Sequence, residues 1–134
     1  MSAPEHSFGT ERLISGDAIR GYTAASDLVG GEPVGVSGSY EVDASGAGEG
    51  DFIGVVLYDV TAGEEPAIAN EGCEVRVPVS EAVDPGDELL PDGSAEFETV
   101  ATSGGSTGVA VVLEGTGGAG TAEVFIYGTQ GATA

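Results

Sequence analysis

The chain has no lysine, no tryptophan, one histidine and one cysteine, and its 134 residues include three basic side chains. Each scarcity excludes something. A lone Cys73 excludes an internal disulfide, and one cysteine with one histidine is too few for a dedicated zinc site. The basic residues are Arg12, Arg20 and Arg76, so no basic patch can displace counterions from phosphate. Nucleic acid and anionic membranes are therefore not expected as partners. No apolar run approaches the roughly 18 residues of a membrane helix. No N-terminal stretch joins a charged start to an apolar run, so no signal peptide is read and synthesis in the cytoplasm is expected. With 4 tyrosines, 4 phenylalanines and no tryptophan, an aromatic platform for sugar rings is poorly supplied.

What is abundant is acid. There are 23 acidic residues against 3 basic ones, a net charge of -20. In dilute buffer such self-repulsion opposes compaction, and high charge with modest hydrophobicity marks disorder. Yet Val, Ile, Leu and Phe make up about a quarter of the chain, above the level of roughly 20% below which disorder is expected. The two facts are reconciled at multimolar ionic strength, where the Debye length is about 3 Å and the repulsion vanishes. A carboxylate-rich, lysine-free surface also stays hydrated where salt strengthens hydrophobic association. The composition is that of a protein made for concentrated salt.

Along the chain, residues 1–12 are polar and aperiodic and read as a flexible N-terminal arm. Residues 13–130 read as one all-β domain, a small barrel or sandwich of short strands, and residues 131–134 as a tail. The clearest strand runs from Cys73 to Val79. Cys73, Val75, Val77 and Val79 alternate with Glu74, Arg76 and Pro78, so one face is buried and the other wet. Pro78 cannot donate a ladder hydrogen bond and suggests an edge. The runs Phe52–Tyr58 and Val109–Leu113 are continuously apolar and too short for a buried helix, and read as strands buried on both faces. One of those faces is expected to be the core and the other a subunit contact. Further strands are expected at 18–23, 33–38, 67–70, 88–90, 95–101 and 122–127, with one short turn of helix near 80–83. Asp84-Pro85-Gly86-Asp87 suits a type II turn, and Pro91-Asp92-Gly93-Ser94 a short hairpin. A weak internal echo links Gly54–Gly72 with Gly108–Gly128, as one hairpin type used twice.

Candidate sites mostly dissolve on inspection. Gly115-Thr116-Gly117-Gly118-Ala119-Gly120 matches the dinucleotide fingerprint, but a β-rich run follows where a helix is needed, so it reads as a hairpin loop. Gly104–Gly108 lacks the lysine of a phosphate loop. His6 lies in the arm without a held partner, Cys73 reads as a buried, inert thiol, and the pairs Glu64-Glu65 and Asp87-Glu88 as solvated acid. No catalytic residue and no cofactor are expected. The loops Asp43–Asp51 and Asp84–Asp92 cluster oxygens without a calcium-loop pattern, so loose binding of hydrated cations is expected there. Arg76 faces outward and is expected to pair with a neighbouring acid or an adjoining subunit.

The order of several pieces resembles a known family. They are Gly31-Glu32-Pro33-Val34-Gly35-Val36, Gly50-Asp51-Phe52-Ile53-Gly54-Val55, Thr61-Ala62-Gly63-Glu64, Glu71–Val77, Asp84–Leu89 and the run from Gly108. From about Ala18 to Gly128 this resembles the capsid cement, or head decoration, proteins of tailed viruses, here in a halophile-adapted form. The resemblance implies a small β-barrel-like homotrimer on the outer surface of an icosahedral capsid. There it would clamp neighbouring subunits of the major capsid protein, without catalysis or cofactor. The absence of lysine departs from the family and reads as adaptation of the surface to salt.

On this reading the arm contacts the major capsid protein through Glu5, His6, Phe8, Arg12, Leu13 and Ile14, adding a strand to an exposed edge. The oligomer contact is assigned to Val55, Leu57, Tyr58, Arg76, Val109, Val111 and Leu113. The alternatives are a turret, fibre-base or tail component of the same virion, a cellular ligand-binding β-domain of a halophile, or a hydrolase using two acids.

Overall fold

The computed structural model describes residues 12–46, 51–104 and 107–128. Among these the elements in chain order are β1 (Leu13–Ser15), β2 (Ala18–Ile19), β3 (Thr23–Ala24), β4 (Pro33–Gly38), β5 (Glu41–Ala44) and β6 (Phe52–Val56). They continue with β7 (Ile68–Ala69), β8 (Glu74–Val79), β9 (Glu88–Pro91), β10 (Phe97–Thr99), a helical turn α1 (Val100–Ser103), β11 (Ala110–Glu114) and β12 (Gly120–Ile126). The protein is all-β, as its alternation and turn chemistry predict. The flexible-arm assignment falls on residues outside the described ones, except for Arg12.

Two sheets divide the chain. The order β1-β8-β10-β9-β11-β12 closes on itself because β12 also pairs with β8, making a five-stranded barrel with β1 attached outside. Closure rests on six residue pairs, from Gly120 opposite Val79 to Phe125 opposite Glu74. The second sheet, β2-β7-β6-β4-β5-β3, is an open half-barrel whose two outer strands have two residues each. A closed barrel removes its own edges, whereas an open sheet must blunt them.

In β8 the alternation is as the pattern predicts: Val75, Val77 and Val79 are buried, while Glu74, Arg76 and Pro78 are half-buried. The edge expectation for Pro78 needs correction, since β8 has neighbours on both sides. On one side the Arg76 N–H donates to the Arg12 carbonyl and the Ser80 N–H to the Phe97 carbonyl. Pro78 lies between these two bonds, where β1 has ended and β10 begins. Its missing donor falls in a gap of the ladder, so proline is tolerated there.

β6 is buried on both faces, as its continuous apolar run predicts. Phe52 and Val55 enter the larger core with Ala69, and Val56 enters the smaller one with Ile68. Phe52 meets Phe97 of β10 edge to face, with centroids 5.9 Å apart, which ties half-barrel to barrel. Gly54 is required here, because a Cβ would stand 2.4 Å from the Ala69 carbonyl oxygen.

β11 has one face in the core and leaves the other partly open within the single chain. Ala110 and Val112 point inward, Val111 is half-buried and Leu113 is 44% exposed. The strand forms barrel wall with one buried face, and a bulge between Val112 and Glu114 turns both Leu113 and Glu114 outward.

The expected helical turn at 80–83 is absent. Val83 forms a bridge with Thr116 and is buried. The turn occurs instead at α1, inside the run expected as strand 95–101. There the Thr99 hydroxyl accepts the Thr102 N–H, and left-handed Gly104 donates to the Val100 carbonyl.

β5 was not expected from the sequence, since Glu-Val-Asp-Ala has one large apolar residue to mark it. It is held between β4 and β3, with Val42 fully buried.

The turn Asp84–Asp87 closes with the Asp87 N–H on the Asp84 carbonyl and Gly86 at φ 94°, as type II chemistry predicts. The β9–β10 hairpin is wider than Pro91–Ser94. Its loop extends to Glu96, whose carbonyl accepts the Asp92 N–H, with Gly93 and Ala95 both at positive φ.

Candidate interaction surface

In so acidic a chain the three arginines locate the places where positive charge is spent. Arg76 of β8 meets Glu123, its cross-strand partner on β12, at 3.3 Å, with both side chains partly exposed. This is the acidic-neighbour alternative expected for Arg76, and an exposed pair of this kind contributes about 1 kcal/mol or less. Arg12 donates from Nη1 to the Arg76 carbonyl at 3.2 Å and packs against Gly30 and Gly31. A Cβ on Gly31 would come within 2.7 Å of that nitrogen, so the glycine leaves room for the guanidinium. Arg20 donates to the Tyr58 hydroxyl at 3.2 Å on the exposed side of the half-barrel.

The carboxylates are more than solvated acid. Glu65 accepts the Gly21 N–H at 2.6 Å, Glu64 the Thr61 N–H and Asp59 the Gly30 N–H, each in a loop of the half-barrel. Asp27 accepts from Ala62 N, Glu32 from Val29 N, and Asp92 from both Ser94 N and Glu96 N. Asp87 accepts the Asp84 N–H, and Glu88 the Tyr127 hydroxyl at 2.7 Å. The pairs Glu64-Glu65 and Asp87-Glu88 lie at the surface, as read from sequence, and in addition fasten loops and strands. In both clustered loops expected to bind cations, carboxylates are engaged in this way: Asp43 and Asp51 accept from Ser26 and Ser45 hydroxyls. Among the described residues, no group of three or more His, Cys, Asp or Glu is arranged to hold a metal ion.

Glu81 anchors the most connected of these contacts. It accepts the Thr99 N–H and the hydroxyls of Thr99 and Thr102. The Thr99 N–H, followed by the hydroxyls, holds its carboxyl below the ordinary range against the opposing effect of burial. Glu98 is shifted upward, mainly by burial and then by the charges of Asp92 and Glu81. Tyr127 is also pushed up, by burial first and then by its bond to Glu88. None of these roles could be read from sequence, where 23 acids look alike.

Glu5, His6 and Phe8 lie outside the described residues. Arg12 is docked on β8, Leu13 packs against the larger core, and Ile14 is 37% exposed. Of the residues assigned to an oligomer contact, Val55 and Val109 are wholly inside the chain's own core and offer no surface. Leu57 is partly buried against that core. Val111 and Leu113 share the outer barrel wall with Phe125, which is registered opposite Val111. Tyr58 is exposed but lies on the half-barrel, beyond the end of β6. Thus the structure brings Arg76, Val111 and Leu113 onto the barrel and leaves Tyr58 on the other lobe. Cys73 is buried, with its Sγ 3.4 Å from the Asp17 carbonyl oxygen.

Two clefts remain. One of about 330 Å³ is bordered by Gly86, Asp87, Glu88 and Thr99 to Ala101. The other, of about 320 Å³, lies at the ladder gap beside Arg12, Val29, Glu32, Pro78 and Ala95. The glycine-rich segment Gly115–Gly120 joins β11 to β12 as a hairpin loop, with β12 beginning at Gly120. Among the described residues no helix is long and apolar enough to cross a membrane.

Compared with known proteins, the sequence matches no family model and no curated protein. Among solved structures, the fold is similar to the head fiber gp8.5 N base of bacteriophage phi29. The TM-score is 0.61 at 13% sequence identity, covering 81% of this chain and 92% of that chain. At this identity the likeness is one of fold.

Proposed function

We propose that this chain is a structural component of a tailed-virus virion, standing on the outer surface of an icosahedral capsid and working in concentrated salt. The observation that carries the reading is the likeness of fold to a phage head-fiber base over most of both chains. Separately, the order of several sequence segments resembles that of head decoration proteins. In the first form of the proposal the chain is a homotrimer that clamps neighbouring major-capsid subunits. Its contacts with them run from the N-terminal segment carrying Glu5, His6 and Phe8 to Ile14. Main-chain pairing and apolar contact suit such a role in salt, because both survive screening that weakens ion pairs. Many weak contacts repeated around a symmetric assembly then give high avidity. The role needs no catalysis and no cofactor.

A second form is favoured by the particular neighbour found: a fibre base, present at selected positions and carrying a further structure outward. Counting this chain against the major capsid protein by quantitative mass spectrometry of gradient-purified virions separates the two. A ratio near one to one is expected for the clamp, and a ratio far below that for the fibre base. Absence from virions would overturn both and favour a cellular binding domain.

A further inference from the structure

Arg12, the first described residue, forms part of the wall of the cleft at the ladder gap. It is pinned through both backbone and side chain. Its carbonyl accepts the Arg76 N–H, and its guanidinium donates to the Arg76 carbonyl. The guanidinium shares the space over Gly31 with the Pro78 ring: a Cβ there would stand 2.7 Å from Nη1 and 2.9 Å from the ring. Residues 2–11 are therefore tethered at a fixed point. β1 is antiparallel to β8, with Leu13 opposite Val75, so the backbone at Arg12 is aimed along β8 toward Pro78 and the start of β10.

Main-chain pairing has little to offer a chain arriving there. The Arg76 carbonyl is already taken by the guanidinium, and Pro78 has no N–H to give. One residue further on, β10 occupies the ladder, with Phe97 opposite Val79. What the place does offer is apolar surface. The cleft, of about 320 Å³, is walled by Val29, Gly30, Pro78 and Ala95, and Val29 is 62% exposed. Its volume is at the low end of the roughly 300–1,000 Å³ of ligand pockets, a size suited to one large side chain. Residues 2–11 carry one large apolar side chain, Phe8. Four residues from Arg12 span up to about 13 Å, so Phe8 reaches a cleft that Arg12 itself borders. Gly9, next to it, permits the chain to turn inward.

We propose that the cleft at the ladder gap is the docking site for the chain's own N-terminal segment, with Phe8 seated against Val29, Pro78 and Ala95. The same chain is favoured over a second copy because a tether of four residues gives an effective concentration in the millimolar range. A second copy brings only its free concentration. The inference does not rest on the virion reading: a chain absent from virions could seat Phe8, and one abundant in them could fail to. Under that reading Phe8 becomes the anchor, and Glu5 and His6 are presented to the capsid from a fixed place.

The test uses NMR of the full chain in about 3 M salt, where charge repulsion is screened. The Phe8 ring protons are expected to show nuclear Overhauser contacts to the Val29 methyls. The amide order parameters of Phe8 and Gly9 should approach the roughly 0.85 of rigid backbone, and fall below about 0.6 in Phe8→Ala. Val29→Glu, which puts a charge into the cleft, should release the segment equally, whereas Leu113→Glu on the barrel wall should not. Val29 and Leu113 are both exposed, so these variants should keep the circular dichroism of the parent, which separates docking from folding. Phe8→Cys combined with Val29→Cys should oxidise to a disulfide within one chain, since the bond needs Cα atoms within about 7 Å. Cys73 is buried and stays out of the exchange. Low order parameters at Phe8 and Gly9 in the parent would overturn the proposal, as would values unaltered by Phe8→Ala. A disulfide joining two chains would give the cleft to a second copy, and ordering of the segment only on adding purified capsids would give Phe8 to the capsid. Either result would overturn docking on the same chain.

Discussion

The barrel and the half-barrel are built from the same composition yet held together differently. The barrel's core gathers seventeen buried residues, including Phe52 and Val55 contributed by the other lobe, and closes through the long β8–β12 ladder. The half-barrel's own cluster has seven, and its edge strands pair over two residues each. Side-chain oxygens fasten loops in both lobes, Asp27, Asp43, Asp59, Glu64 and Glu65 in the half-barrel and Glu81, Asp87 and Asp92 in the barrel, so the lobes differ chiefly in buried apolar residues. The same carboxylates that repel one another are local clamps. The barrel is the more deeply buried scaffold, and the exposed Tyr40 and Tyr58 lie on the other lobe.

The comparison is broken most severely by removing salt. In about 2–4 M salt circular dichroism should show full β structure, and in dilute buffer most of it should be lost. Hydrogen exchange during the descent should rise in the half-barrel before the barrel, because fewer buried contacts oppose the repulsion there. Full protection of both lobes in dilute buffer would refute the salt argument.

Core truncation is the next largest effect. Phe97→Ala should lower the unfolding free energy by about 3–5 kcal/mol, since it empties the barrel and breaks the edge-to-face contact with Phe52. Leu28→Ala in the smaller cluster should cost about 2–3 kcal/mol, as a shallow core can partly collapse. Denaturant melts in high salt measure both. A larger loss for Leu28→Ala would reverse the assignment of scaffold.

The smallest effect concerns pH. Glu81 is held below the ordinary carboxyl range, so its contribution is present at neutral pH and is lost as pH falls through its folded value. Glu98, shifted upward, works the other way: its contribution is complete at low pH and is lost as pH rises through its folded value. Both groups are only partly buried and reached by solvent, so each effect is small. Glu81→Gln should flatten the fall in melting temperature below about pH 4.3, the ordinary glutamate value. An unchanged acid limb would show that the Thr99–Thr102 contacts do not depend on its charge.

Much of the fold was legible where pattern and burial coincide. The strand expected at 33–38 occurs over those residues, and the alternation of β8 places Val75, Val77 and Val79 inside as read. β5 was missed because Val42 is its single large apolar residue, and pairing on both sides makes it a strand. The helical turn was misplaced because Ser80–Val83 carries no stop signal, whereas Thr99 and Gly104 supply both caps. Pro78 suggested an edge because a missing donor is a local fact, while the ladder gap that tolerates it depends on where β1 ends and β10 begins. Of the residues assigned to contacts, Leu113 and Tyr58 are exposed and Val55 is not. In a continuously apolar run, sequence marks burial without saying which residue faces outward.

By itself the sequence determined the β class, the tight turn at Asp84–Asp87 and a surface of acid with almost no opposing charge. These follow from side-chain chemistry and from periods of a few residues, which act locally. Tertiary structure alone decided that β12 would close on β8, that Glu81 would serve two threonines across the fold, and that Tyr22 and Tyr40 would pack ring against ring. Those outcomes depend on which strands become neighbours. That choice is made by the burial of the whole chain, to which each local pattern contributes only a part.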